Sequence, residues 1–279
     1  MQHLIIGYGY CGYYLAKELL IHKEKVIAVS RKLDDKFKLK GLIHLNQDIN
    51  TALPAFNEET ILYYLIPPLE EGKEDNLLKS FLNGLTLKPK KIIYFGSSAV
   101  YGNHEGKVVN EESSYNLNCD RQYRRLNAEE QWVQFAKHEG FQTLCLRIAG
   151  IYGKGRLPIS AAKEQKPLIN PEEAPFSNYI YVKDLVKIAY LLAKEPKLQG
   201  IFNVADGNPQ AMGSLQFEVA KALSLESQFQ SLEEAKSKAS PRLLEFIRAS
   251  KKLDISALKK VLPNFRLTLL EEGIRESLD

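Results

Sequence analysis

The amino-terminal stretch of the chain reads Leu4-Ile5-Ile6-Gly7-Tyr8-Gly9-Tyr10-Cys11-Gly12 and continues as Tyr13-Tyr14-Leu15-Ala16-Lys17-Glu18-Leu19-Leu20. The apolar run before Gly7 is typical of a strand buried on both faces, and a helical pattern follows Gly12. Gly7 permits a tight turn, Gly9 lets a pyrophosphate approach the backbone, and Gly12 lets the helix pack closely on the strand. The start of that helix offers N–H groups and a positive dipole end to phosphates. The stretch therefore predicts a dinucleotide-binding turn.

Apolar, strand-like runs alternate with helical segments through the first half of the chain. After the first strand, such runs occupy residues 25–29, 42–45, 60–66, 91–95, 142–148 and 200–204. Helices are predicted near residues 75–85 and 121–138. Strands that alternate with helices form right-handed βαβ units. The predicted fold class is therefore α/β, a Rossmann-type doubly wound parallel sheet.

Beyond Tyr152 this alternation breaks down, and residues from about 154 to 176 and from about 212 to 262 are predicted to form loops and helices. We therefore predict a dinucleotide-binding Rossmann domain over residues 1–153, completed by about 177–207. Residues 154–176 and 208–279 are predicted to form a smaller, discontinuous substrate-binding region.

The composition of the chain indicates which kinds of binding partner to expect. The net charge of +4 is mild and scattered over 279 residues, so nucleic acid is not an expected partner. No apolar run approaches the roughly 20 residues that span a membrane. The three cysteines, Cys11, Cys119 and Cys145, have no metal-ligand spacing, and an odd number suits a reducing cytoplasm. We therefore expect a cytoplasmic protein without a metal site, whose partner is a small-molecule substrate.

Five further motifs follow one another along the chain. They are Phe95-Gly96-Ser97-Ser98-Ala99-Val100-Tyr101-Gly102, Glu111-Glu112, Leu146-Arg147-Ile148-Ala149-Gly150-Ile151-Tyr152-Gly153-Lys154-Gly155-Arg156, Asn178-Tyr179-Ile180-Tyr181-Val182-Lys183-Asp184-Leu185 and Phe202-Asn203-Val204-Ala205-Asp206-Gly207. In order and spacing they resemble the extended short-chain dehydrogenase/reductase family, which comprises nucleotide-sugar epimerases, dehydratases and reductases. The GxGxxG spacing and Pro67-Pro68 are more similar to its atypical branch, the NAD-dependent epimerase/dehydratase-like proteins.

The resemblance implies hydride exchange with a nicotinamide. In the family a Tyr is the acid/base, a Lys four residues on provides charge, and a Ser or Thr orients the substrate oxygen. Ser97 or Ser98 can fill the serine role, and Tyr123 is the natural tyrosine. The residue four positions after Tyr123 is Asn127, which can hydrogen-bond a ribose but carries no charge. Tyr123 is therefore predicted either to be catalytic or to be a helix residue that covers the cofactor.

The end of the second strand predicts the type of cofactor. An acid there would bind the ribose 2′-hydroxyl of NAD, whereas an arginine accommodates a 2′-phosphate. The chain has Ser30-Arg31-Lys32 at this point, so NADP is favoured over NAD. Asp48 and Ile49 resemble the adenine-contacting pair of the family, although Asp48 could equally be a turn residue. The full predicted cofactor site comprises Gly7, Gly9, Tyr10, Cys11, Gly12, Ser30, Arg31, Lys32, Asp48, Ile49, Leu65, Ile66 and Pro67.

On the substrate side, Arg156 and Tyr179 are the candidates. Arg147 could also face a substrate, but we expect it to pair with an acid inside the fold.

Two functions follow from these observations. The first is an NADP(H)-dependent oxidoreductase or epimerase/dehydratase-like enzyme that acts on a nucleotide-sugar-like hydroxylated substrate. The second is a dinucleotide-binding sensor or interaction protein with degenerate catalytic residues. Ser97, Ser98 and Arg156 favour the enzyme, and Asn127 favours the alternative. The assembly is left open, with a homodimer as one candidate.

Overall fold

The computed structural model describes residues 1–49, 53, 59–85 and 89–279. The chain forms two compact units. Unit 1 comprises Met1–Val100, Asp120–Arg147 and Leu185–Phe202, and unit 2 comprises Tyr101–Cys119, Ile148–Asp184 and Asn203–Asp279. The segment Tyr101–Cys119 lies in unit 2, whereas the sequence analysis placed it in the first domain. The assignment of dinucleotide and substrate binding to these parts of the chain stays a prediction.

The described strands are β1 Gln2–Ile6, β2 Lys25–Ser30, β3 Ile43–Asn46, β4 Ile61–Tyr64, β5 Lys91–Phe95, β6 Val108–Val109, β7 Gln142–Ile148, β8 Gly150–Tyr152, β9 Leu168–Ile169, β10 Phe176–Ser177, β11 Tyr179–Tyr181, β12 Gly200–Val204, β13 Gln210–Ala211, β14 Phe229–Gln230 and β15 Lys252–Leu253. The described α-helices are α1 Tyr10–Ile21, α2 Asn76–Gly84, α3 Asp120–Glu139, α4 Ile159–Lys163, α5 Val182–Lys194, α6 Ser214–Ala222, α7 Leu232–Lys238, α8 Pro241–Ile247, α9 Ser256–Val261 and α10 Leu270–Leu278.

A seven-stranded sheet organises unit 1, in the order β12-β7-β5-β4-β1-β2-β3. The pairings from β7 to β3 are parallel. Strand β1 pairs with β2 on one side and with β4 on the other, so Ile6 lies between Val29 and Tyr64. The strand order reverses here, and ligands of doubly wound sheets bind at the carboxyl ends of the strands beside such a reversal. The predicted Rossmann-type fold class is confirmed.

The sheet is held by apolar packing on both faces. All of β4 and β5 is buried, as the uninterrupted apolar runs predicted. On one face, Phe81 of α2 and Trp132 of α3 pack against the ring of Tyr64 on β4, and the centroids of Tyr64 and Trp132 are 5.3 Å apart. Each large side chain buried in this way contributes about 1.5–3 kcal/mol relative to exposure. This core fixes α2 and α3 against the sheet.

The ends of α2 and α3 have local causes. The carboxylate of Asp75 accepts a hydrogen bond from the Leu78 N–H (3.0 Å), which caps α2. Gly140 has φ +76° directly after α3 and ends that helix. Helix α3 therefore extends one residue beyond the predicted range of 121–138 at each end.

In unit 2 the described strands pair two by two, as β10-β13, β11-β8, β14-β9 and β15-β6. The sequence analysis predicted loops and helices over residues 154–176 and 212–262, and it was wrong at β9, β14 and β15, which lie within those ranges. Strands of two or three residues are too short to show an alternating pattern. The helices of this part include α6 and α9, of nine and six residues.

Candidate functional site

The turn between β1 and α1, here called the glycine turn, contains Gly7 and Gly9, and Gly12 follows in the first turn of α1; the space around the three glycines differs. Gly7 has φ +95°, and a Cβ there would lie 2.7 Å from Cγ1 of Ile66. A Cβ on Gly12 would lie 3.1 Å from the carbonyl oxygen of Gly7. A Cβ on Gly9 would meet no described atom within 4 Å. The fold itself therefore requires Gly7 and Gly12, whereas the backbone at Gly9 is open to a ligand.

Helix α1 starts from this turn. Gly9 is its N-cap residue, and the Gly9 carbonyl accepts from the Tyr13 N–H at 2.8 Å. Tyr10 and Cys11, both half-buried, form the first turn. First-turn N–H groups have no acceptor within their own helix, and the helix dipole is positive at this end. The open backbone at Gly9 and this helix start fit a pyrophosphate.

The turn after β4 lies beside the glycine turn. The Leu65 N–H donates to the carbonyl of Ile6 at 2.8 Å, and Ile66 contacts Gly7. Pro67 is exposed. The structure thus brings together the predicted cofactor residues that follow β1 and β4.

Ser30 and Arg31 lie at the end of β2, and their side chains differ in hydrogen bonding. Ser30 Oγ donates to the Lys32 carbonyl (3.0 Å) and lies 2.8 Å from Nε2 of His44. The exposed Arg31 guanidinium makes no hydrogen bond or ion pair with a residue that the structure describes. Ser30 is therefore engaged in the β2–β3 region, while Arg31 is free to meet a ligand.

Asp48 and Ile49 follow β3 and differ in burial. Ile49 is buried in the core of the sheet beside β1 and β2, whereas Asp48 is exposed. Of the pair, Asp48 presents its side chain to solvent.

Ser97 and Ser98 follow β5 and are half-buried. Ser97 Oγ accepts a hydrogen bond from the Ala99 N–H at 3.2 Å, which still leaves the hydroxyl proton to be donated. The Ser98 hydroxyl makes no hydrogen bond with any described residue. Both hydroxyls can therefore donate to a substrate oxygen.

Tyr123 and Asn127 lie one turn apart on α3. The Tyr123 side chain is 39% exposed, and Lys73 Nζ lies 4.7 Å from its ring centroid. Asn127 Oδ1 accepts from the backbone N–H of Asp75 at 2.9 Å and from Gln131 Nε2 at 2.7 Å. Asn127 therefore connects α3 to the start of α2, and the Lys73 ammonium lies over the Tyr123 ring.

The inner face of α3 carries a cation, Arg125. Arg125 lies near the phenol of Tyr94 and near Asp75, and burial lowers the pKa of its guanidinium. Burial likewise raises the pKa of the Asp75 carboxyl, which the positive charges of Arg125 and Arg124 partly offset. Position 125 lies one turn before the inward-facing Glu129, so helical periodicity was the signal that could have found it.

Arg147 pairs with Glu129 inside unit 1, as the sequence analysis expected. Arg147 Nη2 donates to Glu129 Oε1 at 2.6 Å, and Arg147 Nε donates to Oε2 at 3.0 Å. The two side chains are 0% and 3% exposed. Removing one partner of such a buried pair costs about 3–5 kcal/mol. Arg147 is therefore a structural residue of unit 1.

The predicted substrate residues lie in unit 2. Arg156 is exposed and lies in a turn, where its backbone N–H donates to the Gly153 carbonyl at 2.9 Å. Tyr179 lies on β11, and burial raises the pKa of its phenol, an effect that hydrogen bonds from Ser177 and the start of α6 oppose. The Tyr179 phenol is thus engaged by the protein, and Arg156 is the more accessible of the two.

Within the described residues, no group of three or more His, Cys, Asp or Glu side chains could hold a metal ion. The three cysteines are free thiols. In the same ranges, no helix combines the length and apolarity that crossing a bilayer requires.

Comparison with known proteins agrees with this geometry. The model of the NAD dependent epimerase/dehydratase family matches residues 74–205. This segment contains the predicted serines, Tyr123, and the Arg156 turn. The resemblance to extended short-chain dehydrogenases/reductases is thereby confirmed over that part of the chain. No curated protein matches the sequence.

Solved structures match the chain along nearly its whole length. A functionally unknown conserved protein from Silicibacter pomeroyi is 22% identical, with a TM-score of 0.85 over 99% of this chain and 98% of that one. UDP-glucuronic acid 4-epimerase from Bacillus cereus is 16% identical, with a TM-score of 0.77 over 99% and 95%. UDP-glucose 4-epimerase from Thermus thermophilus is 19% identical, with a TM-score of 0.75 over 100% and 98%. These likenesses show the fold.

Proposed function

We propose that the chain is an NADP(H)-dependent oxidoreductase or epimerase/dehydratase-like enzyme that acts on a nucleotide-sugar-like hydroxylated substrate. The observation that carries this proposal is the glycine turn at the carboxyl end of β1, where the strand order reverses and the backbone at Gly9 is open. The family match over residues 74–205 supports the reaction class. The two epimerases named above were solved with NAD, which supports a nicotinamide cofactor.

The preference for NADP rests on Arg31. Its planar guanidinium can hold a 2′-phosphate through two parallel hydrogen bonds, and it has no competing partner in the described part of the chain. An acid that would bind a 2′-hydroxyl is not found at this position, because Asp34 and Asp35 come three and four residues later.

The bound nicotinamide would supply hydride exchange with the carbon of a substrate alcohol. The hydroxyl of Ser97 or Ser98 would donate a hydrogen bond to the reacting oxygen, and the Tyr123 phenol would move its proton. Asn127 cannot provide the positive charge that the family places near this tyrosine. Lys73 places an ammonium 4.7 Å from the Tyr123 ring centroid instead.

One observation favours the second candidate, a dinucleotide-binding sensor. The amide oxygen of Asn127 is occupied by Asp75 and Gln131, and Tyr123 stands 39% exposed on α3. General acid–base catalysis needs a positioned group, and an exposed tyrosine is weakly positioned.

Binding and turnover separate the two candidates. Calorimetry with NADPH and NADH tests the dinucleotide site. A panel of UDP-sugars with each oxidised cofactor tests turnover: nicotinamide absorbance detects net oxidation of the sugar, and chromatography of the sugar products detects epimerisation or dehydration, in which the cofactor is regenerated. We expect tight NADPH binding and turnover that Tyr123→Phe abolishes, while Tyr115→Phe, at another exposed tyrosine, leaves it unchanged. Tight binding without any turnover would identify the sensor, and failure to bind either dinucleotide would overturn both candidates.

A further inference from the structure

Unit 2 contains a cleft of about 530 Å³. It lies between the loop that holds Asn103 and Glu105, the segment that ends at Phe176, and helices α7 and α8. Its size falls within the roughly 300–1,000 Å³ of small-molecule sites. The cleft is built entirely from residues of unit 2.

Hydrogen bonds hold the walls of the cleft in place. Asn103 Oδ1 accepts from the N–H groups of Glu105 and Ser250, each at 3.1 Å. Ser250 Oγ accepts from the Phe176 N–H at 2.9 Å. Glu173 Oε2 accepts from the Leu232 N–H at 2.6 Å. The acceptors of the lining are therefore largely engaged by backbone N–H groups, and the walls are formed before any ligand binds.

Two cations of the lining have no such partners. The ammonium group of Lys236 on α7 and the guanidinium group of Arg248, directly after α8, form no hydrogen bond or ion pair with any residue in the described part of the chain. The acids of the lining are partly engaged, Glu173 by the backbone and Glu105 by Lys107 at 3.8 Å. Since two unpaired cations face a preformed cleft, an anionic group is the complementary ligand.

The cleft also has an apolar part. The Phe176 ring is 37% exposed, and Lys252 Nζ lies 4.0 Å from its centroid. Ile247 and Leu232 belong to the small core beneath the cleft. A ligand with a ring can pack on this surface while its hydroxyl groups meet the amide of Asn103 and the carboxylate of Glu105.

We propose that this cleft binds a sugar that carries an anionic group, either a phosphate or a carboxylate. Lys236 and Arg248 hold the anion, Phe176 lies against the sugar ring, and Asn103 and Glu105 meet hydroxyl groups. The inference deepens the proposed function and rests on it, because most of the cleft belongs to the residues predicted to bind the substrate. Its test needs neither a bound dinucleotide nor turnover.

Calorimetry on the full chain tests the proposal with glucose 1-phosphate, glucuronate, glucose and inorganic phosphate. We expect at least one sugar anion to bind at least tenfold more tightly than glucose and than inorganic phosphate. Arg248→Ala and Lys236→Ala should each weaken that binding roughly tenfold to hundredfold, since each removes a charge-assisted contact. Lys238→Ala changes an exposed lysine outside the lining and should leave the affinity unchanged.

The two sugar anions distinguish the anionic group, because the tighter one identifies phosphate or carboxylate. Binding of neither sugar anion, equal binding of glucose, or full affinity in both cation variants would each overturn the proposal. NADPH affinity is measured on the same samples. Since Lys236 and Arg248 lie in unit 2 and the glycine turn lies in unit 1, loss of one binding reaction with retention of the other shows which proposal has failed.

Discussion

Replacement of Gly9 separates the role of the glycine turn in binding from its role in folding. Gly9 has φ −121°, which an L-residue adopts without strain, and no described atom lies within 4 Å of the added Cβ. Gly9→Val should therefore cost at most about 1 kcal/mol, mainly from a poorer N-cap residue. The added side chain would occupy the side from which a pyrophosphate approaches. Loss of two charge-assisted hydrogen bonds at about 1.5–3 kcal/mol each would weaken NADPH binding roughly 10²- to 10⁴-fold.

Gly7→Ala is the matched variant, and unlike Gly9→Val it should lower the stability of the fold substantially. Its φ of +95° costs an alanine about 1–2 kcal/mol, and its Cβ would lie 2.7 Å from Ile66. A loss of at least about 2 kcal/mol lowers Tm by roughly 4–8 °C in a chain of this size. Calorimetry and thermal unfolding monitored by circular dichroism measure both quantities. The reasoning is refuted if Gly9→Val binds NADPH with undiminished affinity, or if it unfolds at a lower temperature than Gly7→Ala.

Three further perturbations test other parts of the molecule. Arg31→Ala should weaken NADPH binding roughly tenfold to hundredfold and leave NADH binding nearly unchanged, because only the 2′-phosphate loses a contact. Lys40→Ala is the control, and calorimetry measures both affinities. Equal losses for both cofactors would contradict the role of Arg31. Asn127→Ala should lower the free energy of unfolding by about 1–3 kcal/mol, because the Asp75 N–H loses its acceptor; an unchanged urea midpoint would speak against the assigned hydrogen bond. Burial raises the pKa of Asp206 from 3.8 to about 6, so the folded-state value lies above the unfolded one. The stability that this group contributes is full below about pH 4 and is lost as the pH rises through 6. Asp206→Asn keeps the Oδ1 acceptor for the Asn208 N–H, so it should raise stability at pH 8 by up to about 3 kcal/mol and add nothing at pH 4. Thermal unfolding at both pH values measures this, and a gain of the same size at each would contradict it.

The sequence by itself determined the features whose causes are local. The turn after β1 needs a positive φ at Gly7 and a missing Cβ at Gly12, and both demands arise within a few residues. The bounds of α3 follow from its own periodicity and from Gly140. The buried runs of β4 and β5 were visible because strands covered on both faces need apolar residues throughout.

The tertiary structure decided the features that depend on distant partners. Spacing placed Asn127 one turn from Tyr123, but its hydrogen-bond partner is Asp75, 52 residues earlier in the chain. The short strands of unit 2 exist through pairings such as Lys252 with Val108, and two residues cannot display a period. The cleft likewise draws its walls from segments far apart in the chain, around Asn103, Phe176 and Arg248. A residue pattern indicates the local conformation and burial of a segment. Contacts with residues distant in the chain form only when the chain packs, so the pattern does not identify them.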